Sequence, residues 1–525
     1  MSDNSILKNT TIMTIATLLS RASGLLRTWA MAFALGNTLF TSAYQVANNM
    51  PNLIYDLVAG GILGTAFLPI YLLQREKLGR EGGDRFASNM LNISLVLLGT
   101  LAILATIFAP QVISTQTFTV SSQNAVFETA VIFFRIFAIQ IVFYGLGGVI
   151  TGVLNANRIY GIPALAPLFN NVVVIVSMFA YIPLSSIDPF VALIVLGIGT
   201  TLGVVVQFGI QIPTLIKSGF TYSPRINLKD PALKEALRIA LPTLIYIVGT
   251  LISFSCRNAF SLQTGDDGPS TLLYAWTWYQ LPYGVVAVSI STAFLTEMSS
   301  AVAQENFAKL REHVFRGLRS TLFLIIPLTG IMIVLSSPII QIFRAGAFSQ
   351  DDVAYVSSIL AFWLLSLPFY AGQMYLYRVF AALRQFMTFA LVSCGFCLIQ
   401  IALYAVLGKV DTMGLLGIPF ADLIYYALMF VTMAIILRKR IGSYGMESIF
   451  ILCLKTFAAT LIAMAAIYGI LAIIPLQPSI LTGLCEIIVC GGLGLLITFG
   501  ICKLLRVSEM DMVTKMLGRL IKKTK

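Results

Sequence analysis

Apolar stretches of about 20 residues or more, each closed by a polar, Pro- or Gly-rich break, fill almost the whole chain. They predict about fourteen membrane-spanning helices by the length a bilayer requires. The spans fall near residues 12–36, 39–73, 87–109, 126–153, 163–183, 189–216, 234–262, 270–302, 318–343, 353–381, 386–408, 414–437, 448–474 and 480–504. Every second connection is basic. Arg75, Lys77, Arg80 and Arg85 follow the second span, Lys217, Arg225 and Lys229 the sixth, and Arg438, Lys439 and Arg440 the twelfth. The connections between are almost free of Lys and Arg, and the 263–270 loop carries Asp266 and Asp267. Basic loops stay on the cytoplasmic side, so both termini are expected there and the number of spans is even.

The halves repeat. Phe143-Tyr144-Gly145 with Arg158 recurs 226 residues later as Phe369-Tyr370-Ala371 with Arg384, and Thr65-Ala66-Phe67-Leu68 recurs 227 residues later as Thr292-Ala293-Phe294-Leu295. Two agreeing offsets at corresponding ends of a six-span period predict parallel repeats, an architecture of transporters with the substrate site between the bundles. The expected fold class is therefore an all-α polytopic membrane protein with about 14 transmembrane helices, two six-helix parallel repeats plus an appended pair. The expected division is 1–222 for the first lobe, 223–445 for the second, and 446–525 for the extra pair with a basic tail.

Composition narrows the class. Of 525 residues 58% are hydrophobic and only 11% charged, against about 25% charged in soluble domains. The net charge of +12 lies in alternate loops and the tail, so it reads as an orientation signal rather than a nucleic-acid surface. The polar start and the length of the first apolar stretch argue against a cleavable signal peptide. All seven cysteines lie in apolar stretches, and Cys394 and Cys397 read as small hydrophobes in a span. With His313 the single histidine, no metal site, cofactor or catalytic triad is expected.

The informative residues are polar ones inside spans. Arg21 and Arg27 lie in the first span, where each costs roughly 2.5–3.5 kcal/mol at the helix centre. Six residues separate them by about 9 Å along the axis and about 120° around it. Arginine keeps its charge and offers a planar fork suited to phosphate, so an anion site is one reading. The other has one arginine snorkelling to an interface and its neighbour paired with Asp56. In the second span Gln45, Asn48, Asn52 and Asp56 recur at intervals of 3, 4 and 4, which places them on one helical face. Pro51 should bend that face, and Gly60, Gly61 and Gly64 allow close packing. Such a stripe serves either a wet cavity or hydrogen bonding between helices. Arg257, near the outer end of the seventh span, is placed equally well at an interface or in a cavity. Trp276, Trp278, Tyr279 and Tyr283 read as an aromatic belt or a groove wall, and Arg135, Arg344, Asp422 and Glu486 as interfacial charges. Gly145, Gly148 and Gly152 form a face for helix packing.

The runs Leu19-Ser-Arg21-Ala-Ser-Gly-Leu-Leu-Arg27, Ala43-Tyr-Gln-Val-Ala47, Met50-Pro-Asn-Leu53 and Gly60-Gly-Ile-Leu-Gly-Thr-Ala-Phe-Leu-Pro69 closely resemble the MurJ (MviN) family. Ala156-Asn-Arg158, Ile162-Pro-Ala-Leu-Ala-Pro167 and Pro224-Arg-Ile-Asn227 extend the resemblance over essentially the whole chain. The family comprises lipid II flippases within the superfamily of multidrug and polysaccharide exporters. The resemblance implies movement of undecaprenyl-diphosphate-linked disaccharide-pentapeptide from inner to outer leaflet by alternating access, in the cell membrane and without covalent chemistry. It implies a cationic cavity for the diphosphate, in which Arg21 and Arg27 match the family arginines, and a groove along the last two spans for the lipid tail. Membrane lipids and the cell-wall synthesis machinery are its implied partners.

The chain departs from the family pattern at Thr28, Ser42, Tyr55-Asp56 and Thr277, where relatives carry charged residues. The expected substrate-binding set is Arg21, Arg27, Asn48, Asn52, Asp56 and Arg257, the last as replacement charge. Export of another polyprenyl-linked sugar or of drugs is the competing transport reading. A membrane glycosyltransferase would need a sizeable extramembrane domain or acidic metal ligands, and no connection is long enough to supply the former.

Overall fold

The computed structural model describes residues 3–57, 67–474 and 477–510, excluding the side chains of 3–14 and 237–243. Gly60, Gly61, Gly64, the Thr65-Ala66 part of the repeat and the basic tail from 511 onward lie outside the described residues. The chain forms two compact units, 1–270 and 271–525. Among the described residues helices are joined by turns and irregular connections, with ten helices long and apolar enough to cross a membrane, or up to twelve when each of two bent pairs is one span. The fourteen expected from sequence include two more, in the first 73 residues.

The first unit contains α1 (Asp3–Leu35), α2 (Leu39–Tyr55), α3 (Phe67–Ile107), α4 (Ala109–Thr117) and α5 (Ala125–Phe137). It continues with α6 (Gln140–Ala156), α7 (Gly161–Ile187), α8 (Pro189–Gly209), α9 (Ile212–Lys217) and α10 (Pro231–Ser261). α7 packs on α1 and α8, α3 on α6, α2 on α5, and α10 on α4. Helix starts are capped where sequence supplies an acceptor: Asp188 Oδ1 accepts from the amides of Phe190 at 2.9 Å and Val191 at 3.2 Å. The small face of α6 does what its glycines suggest. A Cβ on Gly145 would meet Leu98 at 2.1 Å, and one on Gly152 would meet Phe67 at 2.5 Å, so α6 lies directly against α3.

α3 joins the end of the second span, the connection after it and the third span into one helical run, broken where Gly79 takes φ +72°. Only a residue without Cβ adopts that conformation cheaply.

The second unit holds most of α11 (Gly268–Pro282), then α12 (Val288–Ala303), joined to it by a π-helical turn at Tyr283–Ala287. α13 (Phe307–Val334), α14 (Ser336–Gln341), α15 (Gln350–Leu364) and α16 (Leu367–Ala382) follow. The unit closes with α17 (Phe386–Leu407), α18 (Gly417–Ile441), α19 (Met446–Ile473) and α20 (Ile480–Leu504). α13 packs on α19, α17 on α18, and α19 on α20.

The repeat is visible in the backbone. α5 and α6 make a span bent by 44°, and α15 and α16 one bent by 51°. The bends follow Phe137 and Leu364, 227 positions apart. Arg158 and Arg384, 226 apart, end their spans at positive φ, +62° and +56°.

Two expectations need correcting. Asp422 is no interfacial charge: it is fully buried (0% exposed), receiving the Trp363 indole N–H at 3.0 Å, the Gln400 amide at 2.7 Å and the Tyr404 hydroxyl. Three donors satisfy a carboxylate that water cannot reach. Tyr279 is no part of a belt: it is buried, stacks on the half-buried Trp276 at 4.9 Å and packs with Tyr370 inside the second unit, where Trp276 also packs with Trp363.

Candidate functional site

α1 turns Ser20, Ser23 and Gly24 toward α7, where Asn171 Nδ2 donates to Ser23 Oγ at 2.8 Å. That contact fixes the rotation of α1, and Arg27, four residues after Ser23 and seven after Ser20, shares that face. Arg27 is half-buried and lies within electrostatic reach of the hydroxyls of Tyr44 on α2 and Tyr144 on α6. Tyr44 is buried and shares a hydrogen bond of 3.1 Å with Thr200 on α8. Arg27 thus lies near polar groups contributed by three helices, α2, α6 and α8. Arg21, six residues earlier, is exposed, and among the described residues no ion pair or hydrogen bond joins it to these groups.

The stripe on α2 extends these groups into a wall. Thr41, Ser42, Ala43, Tyr44, Val46 and Ala47 are buried, whereas Gln45 and Asn48 are half-buried and Asn52 is exposed. α2 therefore turns its polar residues away from its packed side, as the spacing predicts. Asn52 Nδ2 donates to the Tyr144 hydroxyl at 3.4 Å, which donates to Gln140 Oε1 at 3.5 Å. Gln140 Nε2 in turn donates to Thr201 at 3.1 Å. The Tyr55 and Tyr144 rings lie 6.0 Å apart. Asp56, half-buried where the backbone widens into a π-turn, acts electrostatically on Tyr55 and Tyr144.

Arg27 and Asp56 therefore border the same tyrosine, yet no ion pair joins them among the described residues. A fixed cation and an acceptor-rich wall in an apolar surround can hold an anion with a polar group beside it.

Arg257 lies on α10. α10 is bound to α4 by a polar ladder: Gln116 donates to Ser255, Asn258 donates to Gln116 at 2.9 Å, and Thr119 donates to the Ala259 carbonyl. Arg257 is half-buried beside this ladder, in the same compact unit as Arg27. Sequence reasoning missed Tyr144 and Gln140. Tyr144 was visible as part of the repeated Phe-Tyr motif, but nothing in one dimension brings it opposite Asn52.

The second unit holds an apolar cavity of about 380 Å³ among α13, α16, α18 and α19, lined by Ile326, Phe369, Phe430, Phe450, Phe457 and Met464. Among the described residues no cluster of His, Cys, Asp or Glu has the grouping a metal needs.

The family model described as "Lipid II flippase MurJ" matches residues 31–488. A probable lipid II flippase MurJ of Borreliella burgdorferi is 25% identical over 470 residues, 89% of this chain and 90% of that protein. That of Rhizobium meliloti is 29% identical over 356 residues, 67% of this chain and 66% of its relative. Among solved structures, a lipid II flippase MurJ in an inward closed conformation superposes with a TM-score of 0.77 at 25% identity, covering 96% of this chain and 100% of that one. An inward-facing multidrug resistance MATE transporter of the MOP superfamily shares the fold, with a TM-score of 0.62 at 17% identity over 83% of this chain and 96% of its own.

Proposed function

The chain belongs to the lipid II flippase MurJ family, and from that premise we propose that it moves lipid II, the lipid-linked peptidoglycan precursor, from the inner to the outer leaflet by alternating access. The observation that carries the site is Arg27, a permanent cation within an apolar span, set against the Tyr44–Asn52–Tyr144 wall. A diphosphate matches that cation in charge, and the planar guanidinium offers it two parallel donors. Arg21 assists from the exposed side of α1, and Asn48 and Asp56 border the same face. Asp56 opposes the diphosphate, so it tunes affinity downward and favours release. Arg257 adds positive charge from α10, within the same compact unit. The apolar cavity beside α19 suits the polyprenyl tail. Both termini lie in the cytoplasm in this reading. Export of drugs draws only on likeness of fold and gains nothing from the paired first-span arginines.

The test is growth. This chain should sustain cells depleted of their own lipid II flippase. Arg27→Ala should abolish that rescue while the protein still accumulates folded in the membrane, and Arg27→Lys should restore it in part, a point charge replacing a fork. Full rescue by Arg27→Ala would remove the arginine from the site.

A further inference from the structure

We infer that the Tyr55–Tyr144 pair, with Asn52, is a subsite for the sugar ring joined to the diphosphate; this rests on the reading of Arg27 given above. Both rings are half-buried, their centroids 6.0 Å apart and their planes tilted by 37°. Tyr55 and Asn52 lie three residues apart on α2, so they share a face. The exposed Asn52 uses Nδ2 toward the Tyr144 hydroxyl, and among the described residues its Oδ1 accepts no hydrogen bond.

None of these side chains carries charge, so they add little to the capture of a diphosphate. Their chemistry fits a pyranose instead. The negative face of an aromatic ring attracts polarised C–H groups, and an amide offers both a donor and an acceptor to hydroxyl or acetamido groups. Position agrees with chemistry. Tyr144 lies within electrostatic reach of both Arg27 and Asp56, so a sugar held by the pair would have its diphosphate near the cation. The carboxylate of Asp56 then borders the sugar, where it also accepts from hydroxyls. The packing reading of the same rings predicts a loss of stability on truncation without any change in which ligand is preferred.

The experiment compares two ligands on the full-length protein in nanodiscs: bare undecaprenyl diphosphate, and the same lipid carrying the disaccharide without peptide. Tyr55→Leu should weaken binding of the glycosylated lipid about tenfold, the worth of one aromatic contact, and leave the bare diphosphate unchanged. Tyr55→Phe should keep most of the affinity. Asn52→Ala, at an exposed position that packing does not need, should show the same selectivity with a smaller loss. Equal losses for both lipids, or no loss for the glycosylated one in both variants, would overturn the subsite. The diphosphate reading fails separately: Arg27→Ala binding bare undecaprenyl diphosphate as the unaltered chain does would reject it, whatever Tyr55 shows.

Discussion

Arg319 and Glu509 show how a buried charge is made tolerable. Arg319, 9% exposed, forms a two-pronged pair with Glu509, donates to Ser448 and Ser508, and lies 5.0 Å from the Phe315 ring centroid. The pair binds the segment after α20 to α13 and to the start of α19. Burial alone would push the Glu509 carboxyl up, but the hydrogen bonds and charge of Arg319, with Ser508, hold it below the ordinary range. A carboxyl lowered in the folded state stabilises at pH above its unfolded value, and that stability is lost as pH falls through the folded value. Thermal midpoints of the detergent-solubilised protein should therefore drop on acidification below about pH 4, and drop less in Glu509→Gln. Arg319→Ala should cost roughly 3 kcal/mol at neutral pH, because it strands the carboxylate; a midpoint indifferent to both changes would mean the pair bears no load. Sequence offered no sign of this pair, since the partners lie 190 residues apart.

Among the elements, α3 and the segment before α10 are joined by a ladder of side-chain hydrogen bonds. Asp84, Ser88, Asn89 and Asn92 recur on one face of α3, and each binds the 221–230 stretch. Asp84 accepts from the amide and hydroxyl of Thr221 at 3.1 Å each, and Ser88 accepts from the Ser223 amide at 3.0 Å. Asn89 exchanges two bonds with the Asn227 backbone at 2.7 and 2.9 Å. Asn92 donates to the carbonyls of Ser223 at 3.0 Å and Arg225 at 2.9 Å. A connection without secondary structure of its own thus has its backbone satisfied by side chains. With the packing of α10 on α4, the ladder ties this stretch into the first unit. The Asn89→Ala, Asn92→Ala double variant removes four bonds to the backbone, at about 1 kcal/mol each. Amide exchange across 221–230 should accelerate strongly while exchange within α7 and α8 stays as it was. Unchanged protection of that stretch would show the ladder to be dispensable.

For the whole molecule the basic connections set orientation, and labelling checks it. In a chain whose own cysteines are replaced, Asp266→Cys should react with an impermeant reagent added to intact cells, and Arg80→Cys should not. Reaction at position 80 in sealed cells would reverse the assignment. The sequence alone determined the membrane class, the helical content, the six-span repeat and the polar face of α2. Each follows from a local rule: bilayer thickness fixes span length, and 3.6 residues per turn fix which side chains share a face. Tertiary structure alone decided that Arg27 lies within electrostatic reach of Tyr144, that Tyr144 stands opposite Asn52, that α10 is bound to α4, and that Asp422 is sealed among three donors. Those outcomes depend on how each helix is rotated against neighbours distant in sequence. Contacts such as Ser23–Asn171 and Gly145–Leu98 set that rotation, and no periodicity along one strand of chain encodes which helix will stand opposite.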